Sequence, residues 1–275
     1  MNTDIAFGQY YEGDSLIHRL DPRFKIIIAI LFIVEIFLAK NVFAFALLFA
    51  ALVGLIALTG IPVRIIARGM KSLVFIILFT AVLNIFWWTG DTLLFEFGFI
   101  HVYLEGLYNA FLILFRITVL LATTSILLTY TTTPLGLTDG LESLLSPLAK
   151  LHVPVHDFAM LMTIALRFIS PLIEETQKIM NAQKARGASF TEGNIFKRAK
   201  ALIPVLIPLF VSAIRRAVEL ANAMECRCYI GGEGRTKMNV LRASAKDFVM
   251  LALTVALGAA VILINKYAPG YSLTI

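Results

Sequence analysis

Four long apolar runs dominate the first half of the chain. Phe24 to Ala39 is apolar throughout except at Lys25 and Glu35, and Lys40-Asn41 separates it from a second run, Val42 to Leu58. Each run is about long enough to cross a bilayer as a helix, so the pattern predicts a helical hairpin with a very tight turn. Gly60-Ile61-Pro62 breaks the second helix, and the basic residues Arg64, Arg68 and Lys71 follow. A third span runs from Ser72 to Trp88 and ends in Trp87-Trp88, an aromatic pair suited to the membrane interface. Gly90 to Glu105 reads as a loop with three acids (Asp91, Glu96, Glu105) and no Lys or Arg. Leu107 to Tyr130 is a fourth span with Arg116 inside it, and Phe248 to Ile264 is a fifth.

The stretch from Thr131 to Lys246 has a different grain. Its apolar stretches, Phe158 to Ile169 and Ala201 to Ala213, are short and fit amphipathic or interfacial helices better than full spans. Leu141, Leu144, Leu145 and Leu148 follow the i, i+3, i+4, i+7 spacing of a helix with one apolar face. Thr133-Pro134 and Thr138-Asp139 are candidate helix starts, and Ser189-x-x-Glu192 is a capping box or part of a turn. The expected fold is therefore an all-α membrane protein. It has four spans in 1–130, a cytoplasmic region of long amphipathic helices in 131–246, and a last span with an external C-terminus in 247–275.

Composition strengthens the membrane reading. Hydrophobic residues make up 59% of the 275 residues and charged residues 15%, against roughly 45–50% and 25% in soluble domains. The net charge of +6 could also indicate nucleic acid, but the apolar runs assign it to a membrane. Fifteen of the 24 Lys and Arg residues fall in 131–246. Others precede the first span (Arg19, Arg23, Lys25) or follow the second. The positive-inside rule then puts the N-terminus, the 61–71 loop and the 131–246 region in the cytoplasm. Met1 to Asp14 contains acids and no apolar core, so a cleavable signal peptide is not expected. Arg64, Arg68 and Lys71 read as topology-setting, lipid-facing charge.

The 131–246 region also contains an internal echo. Asn181-Ala182-Gln183-Lys184-Ala185-Arg186-Gly187 reappears 41 residues later as Asn222-Ala223-Met224-Glu225-Cys226-Arg227-Cys228. Glu174-Glu175 and Lys178 precede the first copy; Arg215-Arg216 and Glu219 precede the second. Gly187 follows one arginine, and Gly231-Gly232 lies beyond the other. Residues i and i+4 share a helix face, so Ala182 lies beside Arg186 and Ala223 beside Arg227. A small residue lets a partner approach, and the arginine offers a planar fork to a carboxylate or carbonyl. Arginine near a helix end followed by glycine is also ordinary capping. Cys226 and Cys228 read as free thiols, and His18, His101, His152 and His156 show no metal-ligand spacing to them.

With these motifs in view, the chain resembles the transmembrane coupling component of energy-coupling factor transporters, the prokaryotic vitamin and metal-ion importers. Ala185-Arg186-Gly187 and, in degenerate form, Cys226-Arg227-Cys228 match the family's two arginine motifs. The likeness continues through Asp21-Pro22-Arg23, Thr133-Pro134 with Gly140-Leu141, Pro147-Leu148, Val153-Pro154, Arg167-Phe168 with Pro171, and Glu225 to Tyr229. Cysteine at 226 and 228, where a small residue such as Ser, Ala or Gly is expected, is a departure. The resemblance implies a non-enzymatic subunit of the cytoplasmic (inner) membrane with no cofactor. Ala182, Ala185, Arg186, Gly187, Ala223 and Arg227 would dock two ATP-binding-cassette ATPases. Helices around 138–150, 158–180 and 200–220 would hold a substrate-binding membrane subunit, with Leu141, Leu144, Leu145, Leu148, Met160 and Met162 among the contacts. ATP-driven closure of the ATPases would move these helices, topple that subunit and release its vitamin inward.

Two rivals are weaker. A self-contained secondary transporter or channel would carry related membrane halves, whereas the repeat here lies in the 131–246 region. A membrane enzyme would show paired acids, His clusters or a nucleophile motif. Gly231 to Lys237 is glycine-rich and basic but lacks the Gly-Lys-Ser/Thr ending of a phosphate loop. Glu35 and Arg116, at membrane depth, are open to structural pairing or to function. Arg167 beside Phe168, with Pro171 bending the helix, reads as structural, and Glu174-Glu175 as a solvated or salt-bridged face.

Overall fold

The structure, a computed structural model, describes residues 10–87, 93–97, 100–151, 153–190, 194–229, 231 and 241–267. Trp88, Asp91, His152, Glu192 and the Gly232–Lys237 segment lie outside the described residues. The chain divides into two units, Met1–Ser143 together with Val240–Ile275, and Leu144–Asn239.

In the first unit the breaks fall where the turn chemistry puts them. Helix α1 (Pro22–Leu38) starts on Asp21, whose carboxylate accepts the Arg23 amide at 2.9 Å, with Pro22 in the first turn. It ends at Ala39, and α2 (Val42–Thr59) begins after Asn41. Gly60 closes α2 at φ +66°, a left-handed position open to glycine. Helix α3 (Val63–Trp87) bends by 67° between Lys71 and Leu73. Its first limb carries Arg64, Arg68 and Lys71, and its second covers most of the expected third span, reaching membrane length only together with the first. The segment expected to be a loop at 90–105 contains a short antiparallel hairpin, β1 (Leu93–Phe97) with β2 (Ile100–Tyr103). Its alternation of apolar and polar residues, Phe95-Glu96-Phe97 and Ile100-His101-Val102, was the available signal.

Helix α4 (Leu104–Thr124) continues into a π-helical turn, Ser125–Tyr130. The Leu127 carbonyl there accepts the hydroxyls of both Thr131 (2.9 Å) and Thr132 (2.8 Å). Helix α5 (Pro134–Leu145) is capped by Thr133, whose Oγ1 accepts the Gly136 amide at 3.1 Å. Thr138, the other candidate start, lies inside α5 and bonds back to the Pro134 carbonyl. Helix α8 (Ala245–Tyr267) closes the unit. The core is a seam of Ile36, Leu48, Leu52, Val119, Ile126 and Val261 from α1, α2, α4 with its π-helical turn, and α8.

The second unit holds a 3₁₀ segment (Ser146–Leu151) and two helices of 31 residues each, α6 (Val155–Ala185) and α7 (Ile195–Glu225). The short apolar stretches of the sequence are therefore parts of long helices. Helix α6 runs through Pro171 and α7 through Pro204 and Pro208. Among the described residues, α2, α4 with its π-helical turn, α6, α7 and α8 are long and apolar enough to cross a membrane, and bent α3 makes a sixth if its limbs form one span. Five spans were expected, but the set differs. Helix α1, with 17 residues, is the shortest of the expected spans, while α6 and α7 qualify by length.

Candidate partner-docking site

The two arginine motifs form the same structure twice. At the end of α6, the Gly187 amide donates to the Lys184 carbonyl (3.0 Å) and the Ala188 amide to the Gln183 carbonyl (3.0 Å). At the end of α7, the Cys228 amide donates to Glu225 (2.9 Å) and the Tyr229 amide to Met224 (3.0 Å). Each is the paired reverse turn of a Schellman cap, which needs one left-handed residue just past the helix. Gly187 supplies it at φ +86° and Cys228 at φ +57°. Every partner in the second cap lies 41 residues after its counterpart in the first. The cysteines therefore stand in the turn beyond α7, exposed and free. Cys228 holds the position that glycine fills in the first copy.

These caps bear on what the arginines do. The carbonyls of Gln183, Lys184, Met224 and Glu225 already accept backbone amides. Arg186 and Arg227 are both exposed, as are Ala182, Ala185, Gly187 and Ala223. An arginine that caps its own helix spends its donors on those terminal carbonyls. Here both guanidinium forks face outward beside small residues.

Further back along the two helices, Glu175 of α6 accepts Arg216 Nη2 of α7 at 2.6 Å, and Ser212 also hydrogen-bonds the carboxylate. Glu174 is exposed beside it. Leu172 of α6 and Leu206, Ile207, Leu209, Phe210 and Ala213 of α7 line an apolar groove of about 490 Å³. Phe210 is 67% exposed and Leu161 61%, so much of the apolar surface of this unit is open. Leu141 and Leu148 are exposed while Leu144 and Leu145 are half-buried; Met160 is half-buried and Met162 exposed. The four leucines do not share one α-helix, because α5 ends at Leu145 and Leu148 sits in the 3₁₀ segment.

The first unit handles its charges in the opposite way. Lys25, counted above among loose topology charges, is 1% exposed and donates to the Thr131 carbonyl at 2.7 Å and the His18 carbonyl at 3.2 Å. Asp247, also 1% exposed, accepts the Asp21 amide (2.9 Å) and the Ser244 amide (2.6 Å). The second bond is the carboxylate half of a capping box at the start of α8. Asp21-Pro22-Arg23 also meets Gly140 here, where a Cβ would lie 3.0 Å from Pro22 Cβ and 3.2 Å from the Pro22 carbonyl carbon. Two of the motifs that carried the resemblance thus form one junction. Arg116 donates to the Ala39 carbonyl at 3.0 Å and stacks over Phe45. Asn265 bonds the Leu38 carbonyl at 2.8 Å. Together they satisfy the carbonyls of the tight α1–α2 turn that α1 leaves open. Glu35 packs against Gly258 of α8.

A polytopic α-helical membrane protein with two matched, arginine-tipped helix ends is thereby defined. The chain matches the model of the cobalt transport protein family CbiQ over residues 13–238 and belongs to that family, as a transmembrane component of the energy-coupling factor transporter kind. It is 47% identical over 265 residues to the energy-coupling factor transporter transmembrane protein EcfT of Ruminiclostridium cellulolyticum, spanning 96% of this chain and 98% of that protein. Identity to the protein of the same name from Bacillus subtilis is 47% over 259 residues, 94% of this chain and 97% of that protein. For the one from Acidaminococcus fermentans it is 49% over 261 residues, 94% and 97%.

Proposed function

We propose that this chain is the non-enzymatic subunit that carries the motion of two ABC-type ATPases to a separate substrate-binding membrane subunit. The observation that supports it best is the repeated cap, which satisfies the helix-end carbonyls and leaves Arg186 and Arg227 exposed, each with a small residue one turn back. Two equivalent ends suit two equivalent grooves, one on each ATPase. Residues 131–246 form the coupling region, and 1–130 with 247–275 anchor it. The N-terminus and the coupling region lie on the cytoplasmic side of a prokaryotic inner membrane. The open apolar surface of α6 and α7, with the groove around Phe210, receives the substrate-binding subunit. That subunit chooses the cargo, a vitamin or other micronutrient.

The test is co-purification from membranes in which the tagged chain is produced with both ATPases. Reversing either arginine (Arg186→Glu, Arg227→Glu) sets a carboxylate where a fork donor is needed, a loss of about 2–5 kcal/mol for a buried pair. The double reversal is expected to insert normally and lose both ATPases. Retention of the ATPases by the double variant would overturn the docking role and favour a self-contained transporter.

A further inference from the structure

Glu175 and Arg216 are 41 residues apart, the same interval that separates Arg186 from Arg227 and each bond of one cap from its counterpart in the other. In the internal repeat, therefore, the two partners of this ion pair are equivalent positions. That coincidence has a geometric meaning. When a rotation exchanges two elements, a residue touches its own counterpart only at the axis of exchange. A rotation that exchanged α6 with α7 would have its axis at the Glu175–Arg216 bond. Like charges at an axis would repel; the two copies differ there, with acid on α6 and base on α7, so the crossing point is bonded. Arg186 follows Glu175 by the same eleven residues as Arg227 follows Arg216, which makes two arms of about 16 Å at 1.5 Å per residue.

We infer that the Glu175–Arg216 pair, with Ser212 as a second donor to Glu175, is a positioning pair that fixes the angle between the two arginine-tipped arms. The contact is short, at 2.6 Å, and charge-assisted, with side chains only 38% and 23% exposed. The groove on the same two helices is lined by apolar residues, Leu172, Leu209 and Ala213 among them. Apolar packing lets two helices slide or rotate, whereas a bonded carboxylate and guanidinium set one register. With the angle fixed, force applied at the two ends tilts α6 and α7 as one body. With the angle free, the same force folds the arms against each other, and the motion is lost before it reaches the apolar surface. This rests on the docking role proposed above for the force itself, but the fixed angle belongs to the chain alone.

The experiment places spin labels at Asn181→Cys and Asn222→Cys, exposed equivalent positions on the two arms, after Cys226→Ser and Cys228→Ser remove the native thiols. Distances are measured by pulsed electron resonance on the full chain in lipid nanodiscs, without ATPases. A single narrow distribution is expected. Glu175→Gln and Arg216→Gln should each broaden it at least twofold, the exchange Glu175→Arg with Arg216→Glu should restore it, and Glu174→Gln next door should leave it alone. In the assembled transporter the two broken variants should keep ATP hydrolysis but lose several-fold in uptake per ATP, with recovery in the exchanged variant. An unchanged distribution in the broken variants, or an exchange that restores neither distance nor uptake, would overturn the inference. A failure of ATPase docking would leave the distance result intact, which separates the two claims.

Discussion

The two units of this chain hide opposite things. The first buries several of its charges: Lys25, Asp247, Asp21 and Glu35 all lie within the packed helices, and Arg116 turns inward to a carbonyl. The second leaves its apolar residues in the open. About 28% of the apolar window of α2 is buried within the chain and 33% for the α4 span, against 6% for both α6 and α7. Buried charge is costly unless bonded. Lys25 and Asp247 find their partners inside this unit, whereas Glu35 keeps one carboxylate oxygen without one among the described residues. Open apolar surface beside exposed arginines needs partners from elsewhere: lipid tails, or proteins that bring their own apolar faces and acceptors. The first unit reads as a finished object and the second as one side of several interfaces.

Substitutions can break this contrast in order of size. Lys25→Met removes the donor to Thr131 and His18 and leaves two buried acids near it without its charge. Loss of one member of such a network costs about 3–5 kcal/mol, seen as a large fall in unfolding temperature in detergent and a loss of monodisperse protein. The helix ends should respond less. Gly187→Ala forces a side chain into a left-handed position and should cost about 1–2 kcal/mol, concentrated in the α6 cap. Cys228→Gly should act with the opposite sign and by less than about 1 kcal/mol, since glycine's larger unfolded-state entropy offsets part of the relief. Amide hydrogen exchange across 182–188 and 223–229 would read both, as faster exchange in the first and slower in the second. Phe210→Ser should be the mildest for the chain itself, within about 0.5 kcal/mol. Its effect should appear instead as reduced recovery of the substrate-binding subunit in pull-downs.

Much of this organisation is legible in the sequence alone. The breaks at Lys40-Asn41 and Gly60-Ile61-Pro62, the start at Thr133-Pro134 and the α6 end at Gly187 were legible, because turns and caps are local chemistry written in adjacent residues. The α7 end was less so, because Cys228 takes the left-handed position ahead of the glycines that follow it. The 41-residue echo was legible because the repeat keeps its spacing. The junction around Lys25 was not. Its partners lie at Thr131 and, through Asp21, at Asp247, and nothing local to Phe24-Lys25 announces that the chain will return there. The lengths of α6 and α7 were misjudged for a different reason. Charged residues and three prolines interrupt their apolar stretches, yet the helices continue through them. Arg116 and Glu35 were ambiguous for the same reason as Lys25: only packing shows that Arg116 secures the α1–α2 turn.

The most direct measurement is photocrosslinking in intact membranes, with a benzophenone side chain placed in turn at Ala182 and Ala223. Each position lies one helical turn before its arginine. With both ATPases present, each position should yield an adduct of the mass of this chain plus one ATPase, and Arg186→Glu or Arg227→Glu should abolish the adduct at its own end. Adducts to lipid alone at both positions, or ATPase adducts indifferent to the arginines, would contradict docking through these two ends.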